Sequence, residues 1–143
     1  MLSGSTLLSE KHVQITLTRL CHQMIENHQD FSETCIIGIQ KRGAMLADRL
    51  VRNLRSWGYD ELKYGKLDIT FYRDDFRTRT TPLSASETII DFLVEDKKVI
   101  LIDDVLYTGR TVQAALTALQ HYGRPKEVEL LVLIDRRFNR QLP

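Results

Sequence analysis

Val99-Ile-Leu-Ile102 is an unbroken apolar run that ends in two adjacent acids, Asp103 and Asp104. A run this short and this apolar predicts a strand buried on both faces, as in parallel sheets. A turn, Tyr107-Thr108-Gly109, follows, and an amphipathic helical pattern opens at Arg110. Buried charge is costly unless it is paired. Packing therefore gives no reason for two carboxylates at the carboxyl end of a core strand, whereas ligands of open α/β sheets bind at such ends.

The chemistry of the run is that of a sugar-phosphate site. Gly109 can take a left-handed turn at little cost. Backbone N–H groups of such a turn, with those of the next helix, converge on an anion. Thr108 and Thr111 can add hydroxyl donors. Asp103 and Asp104 repel a phosphate but accept hydrogen bonds from vicinal ribose hydroxyls, or hold a hydrated Mg²⁺ through its waters. Taken singly, an Asp-Asp pair also serves as a helix cap or an arginine partner. The sequence has neither the P-loop spacing before Gly109-Arg110-Thr111 nor a Gly-x-Gly-x-x-Gly, so it is not an ordinary nucleotide-binding loop.

The rest of the chain alternates helical and strand patterns. Ser9 or Thr6 is placed to cap a first helix reaching about Asn27, with Val13, Leu17, Leu20 and Met24 as its apolar stripe. Cys35 to Ile39 predicts a strand, Gly43 to Trp57 a helix ended by Gly58, and Lys63 to Phe71 a second strand. Residues 73–88, rich in Arg, Thr and Ser, predict a mobile polar loop or an exposed hairpin. Ile89 to Leu93 predicts a short strand. Arg110 to Tyr122 predicts a helix with Val112, Ala115, Leu116 and Leu119 inward, and Val128 to Ile134 a last strand. This order implies an α/β fold with a mostly parallel central sheet covered by helices. There is no internal repeat or linker, so a single domain is expected.

Composition narrows the classes. The 43% apolar fraction suffices for a core, and 20 Lys+Arg against 19 Asp+Glu leaves any nucleic-acid contact to a local patch. Thr18, Arg19 and His22 share one face of the first helix, and Arg49, Arg52 and Arg55 add charge on the second. Such a face can meet RNA phosphates or be simply solvated. The two cysteines, Cys21 and Cys35, read as buried small hydrophobes, a usage that suits a reducing cytoplasm. No apolar run reaches membrane-spanning length. His12, His22, His28 and His121 make no metal-ligand pattern, and no Ser-His-Asp or Cys-His arrangement stands out.

Residues 99–111 resemble the signature of the type I phosphoribosyltransferases, which bind phosphoribosyl pyrophosphate (PRPP). Asp-Asp-Val-Leu-Tyr-Thr-Gly-Arg-Thr is most similar to the pyrimidine branch, which joins uracil phosphoribosyltransferase activity to regulation of pyrimidine-operon mRNA. Tyr107 stands where purine members commonly carry Asp, which disfavours the alternative of a hypoxanthine/guanine enzyme. Ile36-Ile-Gly-Ile-Gln-Lys-Arg-Gly43 resembles the pyrophosphate loop, and Phe71-Tyr-Arg-Asp-Asp75 the start of the mobile active-site loop. Leu133-Ile-Asp-Arg136 resembles the last core strand, and Leu17-Thr-Arg-Leu20 with Met24-Ile-Glu26 fits the family's first helix.

The resemblance implies a type I phosphoribosyltransferase fold with a flexible active-site loop and a pyrophosphate turn that often carries a cis peptide. It implies PRPP and uracil as substrates, with UMP and UTP as sensed nucleotides. Mg²⁺ would be carried by PRPP near Asp103 and Asp104, with no direct protein ligand. Asp103, Asp104, Arg42 and Arg73 would serve catalysis. Lys41, Arg42, the stretch Asp103, Asp104, Val105, Leu106, Tyr107, Thr108, Gly109, Arg110 and Thr111, and Arg136 would bind substrate. An RNA-binding regulator with little catalysis is a further alternative. The leader mRNA would meet Thr18, Arg19 and His22, and a homo-oligomer, dimer or larger, is expected. The family usually follows its final Asp-Arg with Gly-His and a further segment that helps enclose the base. Here Asp135-Arg136 continues to Leu142-Pro143, so a chain lacking that segment is expected.

Overall fold

The computed structural model describes residues 9–72, 87–106 and 109–135. Helix α1 (Glu10–His28) starts at Ser9, whose side chain accepts from the His12 N–H at 3.2 Å, a true N-cap. Strand β1 (Thr34–Ile39) is buried throughout. Helix α2 spans Arg42–Ser56, and Gly58 turns the chain beyond it at φ +104. Strands β2 (Lys63–Leu67) and β3 (Lys98–Leu106), helix α3 (Arg110–Leu119) and strand β4 (Glu127–Asp135) complete the order.

The strands form one sheet in the order β2-β1-β3-β4, and every neighbouring pair is parallel. The pleat sends alternate residues to opposite faces. Ile36, Ile100 and Ile102 meet α1 and α2 through Leu17, Met24, Leu46, Leu50 and Leu54. Ile37, Ile39, Val99 and Leu101 meet α3 through Ala114, Ala115, Ala118 and Leu119. Cys21 and Cys35 are both buried, and burial pushes each thiol up to about 11.

Four expectations are corrected. Strand β2 stops at Leu67 rather than Phe71. Asp68 Oδ1 accepts from the Thr70 hydroxyl at 2.8 Å and faces its N–H at 3.4 Å, bending the chain into a single 3-10 turn over Thr70–Tyr72. Ile89–Leu93 is not a strand. Only Ile89 pairs, through one antiparallel bridge to Lys66, before Ile90 and Phe92 turn toward the core. Strand β3 runs to Leu106, not Ile102, because β4 keeps pairing with it as far as Leu106↔Asp135. Helix α3 ends as a regular helix at Leu119, and its inward face is the alanine stripe. Leu116 is exposed and Val112 half-buried, since the small alanines let the helix approach the sheet on that side. No helix among the described residues is long and apolar enough to cross a membrane.

Candidate active site

In a sheet ordered β2-β1-β3-β4, the chain leaves β1 and β3 in opposite directions, and the crevice between their carboxyl ends is the natural ligand site. Strand β1 ends at Ile39, and its last partner on β3 is Ile102. Beyond that point β3 is flanked by β4 alone, and the loop after β1 occupies the vacated side.

Two glycines hold that loop against β3. A Cβ on Gly43 would meet the Ile102 carbonyl oxygen at 2.3 Å and the Asp103 Cα at 3.0 Å. A Cβ on Gly38 would meet the Ala44 Cα at 2.7 Å. Hydrogen at both positions lets the start of α2 lie on the backbone of the acidic strand. Gln40 pins the loop from the other side: its N–H donates to the Leu67 carbonyl at 2.9 Å and its side-chain amide to the Glu87 carbonyl at 2.8 Å. The Gln40–Lys41 peptide bond is cis, as the resemblance implies for this turn. Lys41 and Arg42 emerge exposed at the crevice.

The acids are held by their own backbone. Asp103 Oδ1 accepts from the Asp104 N–H, and Asp104 Oδ1 from the Val105 N–H, both at 2.9 Å. The pleat places Asp103 on the α3 side, in step with Val99 and Leu101, and Asp104 on the α2 side, in step with Ile100 and Ile102. Accordingly Arg42 Nη1 reaches Asp104 Oδ2 at 3.6 Å. Asp103 is only 9% exposed. Burial first, and then the neighbouring Asp104 charge, push its carboxyl up to about 6 against a single opposing backbone hydrogen bond. One acid is therefore a buried group whose carboxyl is raised to about 6, and the other is half-exposed and faces a cation.

Past the strand, Gly109 has φ +88 and caps α3 without a side chain, the left-handed turn expected of it. Arg110 is exposed and Thr111 half-buried in the first turn of α3, while Val105 and Leu106 are half-buried at the end of β3. The structure thus brings Arg42 to Asp104, with Lys41 on the same turn and Asp103 on the opposite face of β3, and sets Gly109, Arg110 and Thr111 on the segment that follows the strand. Arg73, Tyr107, Thr108 and Arg136 lie outside the described residues. Thr18, Arg19 and His22 sit on α1, remote in sequence from these loops, and the Thr18 hydroxyl donates to the Gln14 carbonyl at 3.0 Å.

Sequence reasoning missed a groove of about 570 Å³ that opens beside the Arg42–Asp104 pair. It runs past Met45, Arg49 and Arg52 toward Val13 of α1 and Leu133 of β4. The helical spacing of Met45, Arg49 and Arg52 was its one visible signal. The close contact of Gly43 with β3 is not visible in the sequence, where this glycine marks only the end of the loop and the start of a helix.

Comparison with known proteins agrees with this geometry. Residues 3–143 match the family described as phosphoribosyl transferase domain. The chain is 45% identical over 138 residues to the bifunctional protein PyrR of Clostridium acetobutylicum, covering 96% of this chain and 76% of that protein. It is 45% identical over 139 residues to the bifunctional protein PyrR of Deinococcus radiodurans, covering 97% and 75%. Among solved structures, a hypoxanthine-guanine phosphoribosyltransferase of Bacillus anthracis superposes with a TM-score of 0.74 at 20% identity, over 98% of this chain and 78% of that one. A hypoxanthine phosphoribosyltransferase of Staphylococcus aureus gives 0.71 at 22%, over 96% and 70%. At such identities the two structures speak for the fold alone. A parallel sheet whose longest inner strand carries an acidic pair near its end, beside a glycine-backed basic loop, with PyrR relatives along nearly its whole length, places the chain in the phosphoribosyltransferase family, as a member of the PyrR proteins.

Proposed function

We propose that the chain transfers the phosphoribosyl group of PRPP to uracil, giving UMP and diphosphate, and that it regulates pyrimidine-operon mRNA in response to UMP and UTP bound in the same crevice. The observation that carries the catalytic half is the Arg42–Asp104 approach, 3.6 Å across the carboxyl ends of β1 and β3. In this reading Arg42 is the cation for the diphosphate and Asp104 a carboxylate for the ribose, and their proximity supports it. Purine phosphoribosyltransferases share the fold, but the relatives at 45% identity are PyrR proteins.

In this reading, Lys41, Arg42 and Arg73 bind the diphosphate. The N–H groups of 108–111, with the Thr108 and Thr111 hydroxyls, bind the 5′-phosphate. Asp103 and Asp104 accept from the ribose hydroxyls. Tyr107 is assigned to the base, and Arg136 to the base or the diphosphate. The C1–oxygen bond to diphosphate breaks while the ribose gains oxocarbenium character, and the acids stabilise that positive charge. Uracil N1 bonds to C1 from the opposite face and loses its proton. In this reading no protein nucleophile is needed; the chain positions the reactants and stabilises the separating charge. Among the described residues no group of three or more His, Cys, Asp or Glu could hold a metal ion. Asp103 and Asp104 would suit the waters of a Mg²⁺ ion carried by the diphosphate, and such an ion would supply charge to offset the leaving group. A cytoplasmic, homo-oligomeric protein fits this chemistry.

The test is conversion of radiolabelled uracil to UMP with PRPP and Mg²⁺, run beside hypoxanthine and guanine. Uracil turnover with neither purine used is expected. Turnover of a purine in place of uracil would overturn the base assignment.

A further inference from the structure

The rings of His22 on α1 and Trp57 at the end of α2 stack with centroids 4.8 Å apart and planes 21° apart. His22 is exposed, and Trp57 keeps 41% of its surface in solvent. Neither ring belongs to the two core clusters. The backbone that carries the rings is tied down on both helices. The Trp57 N–H donates to the Asn53 and Leu54 carbonyls at 3.2 and 3.1 Å. Just beneath, the buried Cys21 thiol donates to the Leu50 carbonyl at 3.6 Å and ties α1 to α2. One turn before His22, the exposed Arg19 has no ion-pair partner among the described residues. One turn after it lies the exposed Glu26, so the positive charge is on the amino-terminal side of the rings.

We propose that the His22–Trp57 stack is a platform for an unpaired RNA base, with Arg19 on the adjacent phosphate. This rests on the regulatory reading above and adds Trp57 to the contact face. Sequence-specific RNA recognition uses splayed bases stacked on aromatic rings, because the A-form major groove is too narrow for side chains. A flat ring pair with an exposed arginine one helical turn away supplies both halves of a single-strand contact, stacking and phosphate charge. A second copy of this chain is the competing occupant, and the titration below separates it from RNA.

Trp57 is the chain's sole tryptophan, so its fluorescence reports this patch alone. The full chain is titrated with the pyrimidine-operon leader transcript of its own genome, with UMP present, by fluorescence and by filter binding. Saturable quenching with the same midpoint in both is expected. Trp57→Ala is expected to bind about 5- to 150-fold more weakly, and Trp57→Phe to regain most of the affinity, with uracil transfer unchanged in both. Circular dichroism confirms that the variants fold, and the Phe variant keeps the ring if the Ala variant does not. If folded Trp57→Ala binds as wild type while Arg19→Ala weakens, the platform is wrong and the RNA reading stands. If wild type binds no leader RNA, the regulatory reading falls and the platform with it. If the fluorescence instead follows chain concentration without RNA, and sedimentation shows association lost in Trp57→Ala, the face belongs to a second copy and the proposal is overturned.

Discussion

Strand β3 is two regions in one element. Val99–Ile102 lies between β1 and β4 and is at most 1% exposed at every residue. Asp103–Leu106 keeps β4 on one side but has no β1 partner on the other. The first half packs both faces of the sheet with aliphatic side chains; the second carries two carboxylates and meets a basic loop. Charge enters the strand where lateral pairing ends and space for a ligand begins. The difference teaches that the site arises from unequal strand lengths, with β3 outrunning β1, as much as from the acids themselves.

The sharpest way to break the comparison is to remove the charge and keep the shape. Asp103→Asn with Asp104→Asn is expected to cut uracil transfer roughly 10³-fold or more in a folded chain, in line with losing preorganised electrostatic groups. Turnover and circular dichroism measured together check it; retained turnover would detach the acids from the chemistry. Next comes the contact that seats the loop. Gly43→Ala drives a Cβ toward the Ile102 carbonyl, 2.3 Å away, so the start of α2 must move off β3. A displacement of about 1 Å costs on the order of 10²-fold in rate, to be read in kcat/KM for PRPP.

A third expectation separates function from stability within the second half. Asp103 is held near pKa 6, above the ordinary value of 3.8, chiefly by burial. The fold therefore favours its protonated form. The stability this contributes is fully present below about pH 4 and is lost as pH rises through about 6. Asp103→Asn keeps an acceptor oxygen for the Asp104 N–H and never ionises. It is expected to be more stable than wild type at pH 7.5 by about 1–3 kcal/mol, with the advantage vanishing by pH 4. Chemical denaturation across that range measures it, and an advantage that grows on acidification would contradict the sign. In wild type, PRPP affinity is expected to fall as pH drops below about 6. The smallest effect belongs to the first half: Ile100→Val should cost about 1 kcal/mol of stability and leave the KM for PRPP unchanged.

Much of this was legible in the sequence because it is local. The Val99–Ile102 run, the Ser9 cap and the Gly109 turn each follow from a few adjacent residues. The rest depends on partners distant in the chain. The apolar run ends at Ile102, yet pairing with Val132–Asp135 carries the strand on to Leu106. The end of β2 was hidden in one Asp68–Thr70 hydrogen bond. Leu116 carries an apolar signature but faces water, because α3 packs through Ala114, Ala115 and Ala118. In the site, the acids and the basic turn were each visible, while their approach through Gly43 and the stacking of His22 on Trp57 needed three dimensions. Arg73, Tyr107, Thr108 and Arg136 rest on sequence alone.

The ribose assignment of the acidic pair can be measured without turnover. Calorimetric titration of PRPP with Mg²⁺ into wild type and into Asp103→Asn/Asp104→Asn at pH 7.5 reads binding directly. A dissociation constant weakened roughly 100-fold, about 2.7 kcal/mol, with an unchanged circular dichroism spectrum, is the expected result. Equal affinity in the two folded chains would contradict it and place the ribose elsewhere than at the end of β3.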